Sequence, residues 1–568
     1  MKFDDIVTDI GEFGPYQIKV FLMVGLIGIP VGFNQMAQVF FAIKSDHWCA
    51  VDEWRVDYQR CGDQAARGER YYLECLHALR NASIPYSIDD DNNGELVFEH
   101  CSKYDLDYAE FNWTEAYLYE ESEEPKERDC DDGWIYDRSQ YPRTIISDFN
   151  LVCNSEKAAD IAQSIFFAGV LAGSFIFGSV SDIVGRYYTY YTAVVLLAVF
   201  PLINAFAPSF WLYVLFRFFI AAANMGTFLI AFVIGTELVG PSKRVTANCM
   251  IQCTFAVGYM LLAVVAYFVR DWRILQLTIV APTFLFIFTI PFVTESPRWL
   301  ISKRRFSDAA KIITKAAKFN KKEDRLPPNF IQEIQKSEEL EHDSALKTAT
   351  FIDLFRTPNL RISTLNCMYN WFINSLVYYG LSLSTSDLGS NIYIAFFISG
   401  AVEIPAYIVG IPMMESRLGR RYSTSICEIL GGVACLLTIF LPPGGWKTMI
   451  AMIGKFGISA SFSLIYIYSA EVIPTPLRSV GVGMCSTAAR VGGILAPLIL
   501  LLDDVWEPLP LLIFGFSAVI GGILVLYLPE TRGKMLPETI EEGEVFSSRR
   551  KEHVVDNKEY QDIPNQDV

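Results

Sequence analysis

Charge is scarce over most of this chain. Asp, Glu, Lys and Arg make up 19% of its 568 residues, against 52% hydrophobic and 14% aromatic. Histidine is scarcer still. All five, His47, His77, His100, His342 and His553, lie outside the apolar stretches, which argues against a histidine proton relay inside them. A zinc-ligand helix, a nucleotide-binding glycine loop and a nucleophile elbow are also missing. The glycines of "GGVAC" and "VGGIL" sit in apolar runs, not before a phosphate-binding helix. No enzyme activity, metal, cofactor or nucleic-acid partner is therefore expected, and an ATP-driven mechanism has no support. The N-terminal "MKFDDIVTDIGEFGPYQ" lacks the basic region and small-residue cleavage site of a removable signal, so the first apolar run is expected to stay as a membrane helix.

What is present is apolar sequence in runs of the length a helix needs to cross a bilayer, about 20 residues. Twelve such runs lie near 19–43, 158–180, 187–207, 211–236, 246–268, 274–293, 361–384, 391–413, 424–441, 447–472, 480–502 and 509–528. They predict an all-α polytopic membrane protein with the lipid bilayer as its setting.

The net charge of −16 is concentrated. Residues 44–157 hold 27 Asp+Glu against 12 Lys+Arg. The same segment holds six of the twelve cysteines, Cys49, Cys61, Cys75, Cys101, Cys130 and Cys153, and two glycosylation sequons, at Asn81 and Asn112. An even cysteine set with sequons predicts an oxidising, extracellular, disulfide-rich domain, with the pairing open among 15 possibilities. The other six cysteines read as packing residues. With 44–157 outside, both termini fall in the cytoplasm. Arg186, Lys243, Arg244, Arg417, Arg420, Arg421 and Arg478 then lie in inner loops, against Arg270, Arg273 and Lys447 in outer ones. The expected domains are a cytoplasmic N-terminus (1–18), helix 1 (19–43), the extracellular domain (44–157), helices 2–6 (158–293), a cytoplasmic helical linker (294–360), helices 7–12 (361–528) and a cytoplasmic tail (529–568). Within the linker, "SDAAKIITKAAKFN", capped by its serine, and "PPNFIQEIQKSEELEH" predict two helices bracketing the inner face. The polar residues 534–568 predict disorder.

The chain is written twice. Gly185-Arg186 returns as Gly419-Arg420, and "TELVGPSKR" returns as "AEVIPTPLR", both 234 residues on; "TESPR" is answered by "PETRG", its glutamate 235 residues on. Two six-helix halves with a substrate site near the bilayer midplane are the pattern of the major facilitator fold. The duplicated charges predict a cytoplasmic gate. Asp182, Gly185, Arg186, Glu237 and Arg244 belong to the first half, and Glu415, Arg420, Glu471 and Arg478 to the second. Carboxylates at helix ends would pair with arginines on facing ends and separate as the halves rock. Topology anchoring alone is the plainer alternative. In the second copy Ser416 stands where Asp182 does, with Glu415 one residue earlier.

"GSVSDIVGR", "TELVG", "YFVRDWR", "TESPRWLISK", "VYYGLSL", "VEIPAY", "GKFG", "AEVIPTPLRSVGVG" and "LPETRG" resemble solute carrier family 22, the organic cation, anion and carnitine transporters. The likeness spans nearly the whole chain, and the large domain after the first helix sets it apart from sugar porters. Charge inside the membrane is costly and is a functional candidate by default. Arg490 occupies a position that resembles an aspartate site in the cation branch and an arginine in the anion and carnitine branches. Glu403 offers the opposite charge, as a substrate contact or as a structural partner of Arg490, while Lys455 and Arg217 lie nearer the outer helix ends. Glu428, near an inner end, reads as structural. By resemblance Phe228, Trp371, Tyr378 and Phe462 line the cavity. Tyr379 and Tyr466 join them from a larger aromatic set that includes Phe33 and Tyr468, and Asn34, Gln35 and Gln163 could orient a substrate. "TFLIAFVIGTE" is most like the carnitine branch, but Ser179 and Thr227 replace the glutamine and asparagine that the resemblance associates with sodium coupling.

The expected function is a plasma-membrane, polyspecific organic ion transporter. It would move zwitterions or cations, carnitine-like or carcinine-like amines, by alternating access as a monomer, with a co-transported or exchanged ion. An organic anion exchanger and a non-transporting surface receptor are the alternatives.

Overall fold

The computed structural model describes residues 3–55, 57–58, 61, 69–89, 95–109, 126–289, 292–344, 351–385 and 391–547. It divides into a larger unit (1–38, 160–268 and 276–568) and a smaller one (39–159 with 269–275).

The larger unit is built from helices. In chain order its principal helices, some of which run on from the smaller unit, are α1 (Phe3–Gly11), α2 (Pro15–Gly25), α3 (Gly28–Met36), α4 (Ala158–Val184), α5 (Arg186–Asn204), α6 (Phe210–Glu237), α7 (Arg244–Phe268) and α8 (Trp272–Ile287). Then come α9 (Pro297–Ser302), α10 (Phe306–Phe319), α11 (Phe330–Ser344), α12 (Pro358–Leu383), α13 (Ile392–Glu415), α14 (Gly419–Thr438), α15 (Gly445–Val472), α16 (Arg478–Leu500), α17 (Leu509–Val525) and α18 (Ile540–Phe546). Each of the twelve apolar runs falls on helix, the first on α2 and α3 together and the rest on α4–α8 and α12–α17. Among the described residues eight helical segments are long and apolar enough to cross a bilayer, with α8 and α17 as shorter apolar helices. Large apolar side chains such as Phe206, Phe268 and Phe288 are at least two-thirds exposed, as suits a surface solvated by lipid tails.

The sequence duplication is also a packing duplication. A Cβ on Gly258 of α7 would stand 2.4 Å from the Ile29 carbonyl oxygen of α3, and one on Gly492 of α16 would stand 2.3 Å from the Phe372 oxygen of α12. These glycines are 234 residues apart. Small residues at such crossings let backbones approach where lipid offers no hydrophobic drive for association. Contacts between the halves include Tyr259 of α7, whose hydroxyl is 3.1 Å from Ser399 Oγ of α13 and whose ring meets Phe396 edge-on at 4.2 Å.

The two helices expected in the linker form as α10 and α11 and pack on the first half. Ile313, Ala316, Ala317, Phe330 and Ile334 pack with Ile6, Ile10, Val20, Val194 and Ile234. Asn320 Oδ1 accepts from Tyr16 N at 2.9 Å while its Nδ2 donates to Gln17 Oε1 at 2.9 Å, fixing the chain between α1 and α2. Ser307 is not the cap of α10. That helix starts at Phe306 after Arg305, with no side-chain cap, and Arg305 instead pairs with Asp308 at 2.7 Å. The tail is not wholly disordered. Thr539 and Glu542 form a capping box that starts α18, and Glu544 accepts from Asn359 N at 3.0 Å and Leu360 N at 2.9 Å in the first turn of α12. Residues 548–568 lie outside the described residues.

In the smaller unit three two-stranded antiparallel sheets pair β1 (His47–Cys49) with β6 (Trp134–Tyr136), β2 (Tyr86–Asp89) with β3 (Glu95–Phe98), and β4 (Ser102–Tyr104) with β5 (Glu127–Asp129). The six cysteines pair as Cys49–Cys130, Cys61–Cys75 and Cys101–Cys153. Trp48, Val51, Trp54, Leu79, Ile84 and Tyr108 form its core, and fully buried Lys103 pairs with Asp131 at 2.7 Å and with Asp132. Asn81 is half-buried on the helix Glu69–Ser83; Asn112 lies outside the described residues.

Candidate functional site

At the helix ends that carry the duplicated charges, each half repeats one arrangement. α4 ends at Val184, and Gly185 turns the chain at φ +117° so that α5 starts at Arg186. The new N-terminus is capped from a distance: Glu295 accepts from Arg186 N at 2.9 Å and Tyr187 N at 3.2 Å. A Cβ at 185 would stand 2.3 Å from Glu295 Oε2. In the second half Gly419, at φ +70°, is followed by amides of Arg420 and Arg421 that donate to Glu530 at 2.9 and 3.1 Å. A carboxylate there meets unsatisfied N–H groups and the positive helix end together. Glycine is required both by backbone conformation and by the carboxylate it faces.

The arginine side chains point the other way. Arg186 pairs with Asp182 at 2.9 Å and Glu237 at 3.3 Å, and Arg420 pairs with Glu471 at 3.1 Å. These pairs lie within each half, which corrects the expectation of a latch between facing halves. Residues fifty-one positions apart in one six-helix unit meet because its own helices α4–α6, or α13–α15, end at one level. Arg244 pairs with Asp4 at 2.7 Å, and Arg298 binds the same carboxylate. Burial alone would raise the Asp4 carboxyl, but Arg298 and Arg244 outweigh it and hold it below the usual value. Arg478 hydrogen-bonds Thr475 Oγ1 at 3.2 Å, and Glu415 is exposed.

Between the halves lies a cavity whose empty space, about 780 Å³, includes volume open to solvent. Gln35, Asn224, Met225, Phe228, Gln252 and Phe255 line it from the first half, and Tyr378, Tyr379, Tyr407, Phe462, Tyr466 and Arg490 from the second. Aromatic faces dominate: Tyr378 and Tyr379 meet at 5.1 Å, Tyr378 and Phe462 at 6.1 Å, and Phe462 and Tyr466 at 5.7 Å. Gln35 donates to the Tyr379 hydroxyl at 3.3 Å and accepts from Asn224 Nδ2 at 3.1 Å. A second cavity shares Gln252, Ser463 and Tyr466 and runs to Glu471 and Arg478, so the space continues toward the helix ends carrying the duplicated charges.

Arg490 is the one charged side chain among the described lining residues. Its Nη2 lies 3.6 Å from Met225 Sδ and its buried Nε has no partner. It does not pair with Glu403. That carboxylate is fully buried behind the cavity wall, 3.2 Å from Lys455 Nζ, and accepts from Tyr378 at 2.7 Å and Tyr407 at 3.1 Å. Lys455, itself buried, also bonds Ser382 and lies 3.5 Å from the Tyr378 ring centroid. Glu403 and Lys455 therefore neutralise each other one layer out from the cavity, and neither is the free membrane charge the sequence suggested. Other candidates also sit behind the wall. Trp371 donates to Ser469 at 3.2 Å and packs on Tyr466 at 4.1 Å. Gln163 accepts from Arg217 at 3.0 Å, Asn34 donates to the Pro30 carbonyl at 2.9 Å, and Tyr468 donates to the Pro529 carbonyl at 2.8 Å. Sequence reasoning missed Asn224, Gln252, Tyr407 and Phe255 in the wall, since nothing in an apolar run says which face meets the other half. It quoted the motifs of Glu295 and Glu530 without giving those residues a role.

Residues 108–542 match the family described as "Sugar (and other) transporter". The chain is 41% identical to the organic cation transporter protein of Drosophila melanogaster, over 97% of this chain and 96% of that one. It is 35% identical to human solute carrier family 22 member 13, over 96% and 93% of the two chains. The human organic cation/carnitine transporter 2 is 34% identical, over 95% and 93%. The chain belongs to solute carrier family 22. It is a multi-pass membrane transporter of organic ions, not an enzyme. The xylose transporter XylE from E. coli, solved in a partially occluded inward-open conformation, matches with a TM-score of 0.60 at 14% identity, over 92% of this chain and all of that one. That likeness shows the major facilitator fold of the family.

Proposed function

We propose that this family member carries small organic zwitterions, or amines bearing a carboxylate, across the plasma membrane by alternating access. In this reading twelve helices span the membrane, 44–157 is extracellular and both termini are cytoplasmic. The supporting observation is the cavity's charge: one arginine with an unpartnered N–H, facing a wall of aromatic rings, with Glu403 already neutralised by Lys455. A guanidinium can hold a carboxylate through paired charge-assisted hydrogen bonds. An ammonium placed over Phe462 or Tyr466 gains about 0.5–2 kcal/mol by cation-π attraction. The two ends of a zwitterion thus have separate seats.

The same observation favours a second reading, an organic anion exchanger, because no free carboxylate remains among the described wall residues to demand a cationic end. Uptake of labelled carnitine, tetraethylammonium and para-aminohippurate into cells expressing the chain separates them. Carnitine entry supports the zwitterion reading, and para-aminohippurate entry alone replaces it with the anion reading. Entry of tetraethylammonium alone contradicts both. Ligand binding with no uptake of any kind would instead favour a receptor.

A further inference from the structure

The neck of the smaller unit carries two stacked histidines that transport chemistry does not use. The chain enters this unit through residues 39–46 and leaves it through 153–159, and Lys44 and Glu156 tie the two passages together at 2.7 Å. His47 then opens β1. Its ring lies against that of His100, with centroids 5.2 Å apart and planes 29° apart. From β6, Trp134 meets the His47 ring at 5.8 Å and Tyr136 meets it at 6.0 Å. Two disulfides hold the same place, Cys49–Cys130 at the end of β1 and Cys101–Cys153 beside His100.

The hydrogen bonds suit neutral rings. His47 Nδ1 is 3.3 Å from the Ser45 carbonyl, and His100 Nδ1 is 2.9 Å from the His47 carbonyl. A carbonyl only accepts, so each Nδ1 carries its ring's proton. His47 Nε2 is left as a bare lone pair, buried and without a partner. A second proton there would make an N–H with no acceptor, on a cation stacked against another imidazole. The charged groups that act on His47 are His100, Glu156 and Asp46, while Tyr136 donates to Asn150 and takes no charge from it. Glu156 is engaged by Lys44 and Asp46 is exposed. Burial first, then His100, outweigh the two carboxylates and hold His47 below the usual imidazole value. His77, the third histidine of this unit, faces Arg80, Asp137 and the same Asp46.

We propose that the His47–His100 stack is an acid-sensitive joint, in which a second proton on His47 parts the rings and frees β1 from the His100 segment at the neck of this unit. Because the folded value is depressed, the joint's stability is fully present above the unfolded value near 6.5 and is lost as pH falls through the folded one. The topology proposed above makes the signal extracellular acid, and the proposal rests on that reading for this point alone.

The test is amide hydrogen exchange of residues 46–50 and 133–137 in the purified full-length protein, disulfides intact, at pH 7.5 and 5.5 with correction for intrinsic rates. This window lies above the ordinary carboxylate range. A protein in detergent has no inside or outside, so failure of the joint and failure of the topology stay distinguishable. The proposal expects local opening to rise by up to about ten-fold for each pH unit below about 6.5. His47→Phe, which keeps a stacking ring without a proton site, should abolish the rise; His100→Phe should reduce it, and His77→Gln should keep it. Wild-type exchange that is the same at both pH values overturns the proposal whether or not the variants fold. A rise that persists in His47→Phe, or that disappears in His77→Gln, also overturns it.

Discussion

Removing the carboxylate of Glu295 should loosen the first half where α5 begins. Glu295 accepts from three backbone N–H groups, those of Arg186, Tyr187 and Ser296, at 2.9, 3.2 and 2.9 Å. Each such bond contributes about 1 kcal/mol net, so Glu295→Ala, which removes the acceptor entirely, should cost roughly 3 kcal/mol. Glu295→Gln keeps an acceptor oxygen but loses the charge at the helix N-terminus, an effect of about 0.3–2 kcal/mol in partly buried settings. Stability should therefore fall in the order wild type, Gln, Ala. The same order should hold at Glu530, which accepts from Arg420, Arg421 and Thr531 in the second half. Because the two sites share no partner, their costs should add to within about 0.5 kcal/mol. Thermal unfolding of the purified variants, followed by intrinsic fluorescence, measures this. Equal midpoints for wild type, Glu295→Ala and Glu530→Ala would refute the capping argument, and a destabilised Glu295→Gln as severe as Ala would refute the distinction between acceptor and charge.

Three further outcomes follow from the same geometry. Lys455→Met leaves Glu403 buried without its cation and should cost about 3–5 kcal/mol, whereas Lys455→Met combined with Glu403→Leu should recover most of that loss; surface expression and unfolding midpoints of the single and double variants decide it. Gly258→Ala and Gly492→Ala should each lower the midpoint, because a methyl would meet a backbone oxygen that cannot move alone, while Gly445→Ala, with open space around it, should leave it unchanged. The docking of α1 through Asp4 should be pH-dependent: its folded value is depressed, so the stabilisation is present above the unfolded value near 3.9 and is lost as pH falls through the folded one. Hydrogen exchange in α1 should thus be unchanged from neutral pH down to about pH 5 after correction for intrinsic rates and should rise below pH 4, whereas Asp4→Asn should show the faster exchange at every pH.

The architecture was legible because the bilayer imposes a length on apolar runs and because a duplicated chain repeats its charges at one spacing. Arg186 with Glu237 and Arg420 with Glu471 could be named from that spacing alone. Their pairing within a half could not, since one sequence does not say whether two helix ends at the same depth belong to touching helices. The same gap explains Glu403. Its depth was readable, but its contact with Lys455 depends on how α13 rotates against α15, and twenty-odd apolar residues in a row carry little rotational signal. Arg490 was placed by resemblance, and the structure gives it what the resemblance could not, an open face and no counter-charge among the described residues. The tail was read from its polar composition alone, which does not register the capping box Thr539–Glu542 or the anchoring of Glu544 on α12.

The central claim is that Arg490 reads the carboxylate of the substrate, and its charge can be removed without touching the aromatic wall. The decisive measurement is the concentration dependence of carnitine and para-aminohippurate uptake in wild type and Arg490→Gln, normalised to protein at the cell surface. Losing one charge-assisted pair of about 1.5–3 kcal/mol predicts a fall of roughly ten- to a hundred-fold in uptake efficiency for whichever carboxylate substrate the wild type carries. Unchanged efficiency for that substrate at equal surface expression would contradict the account.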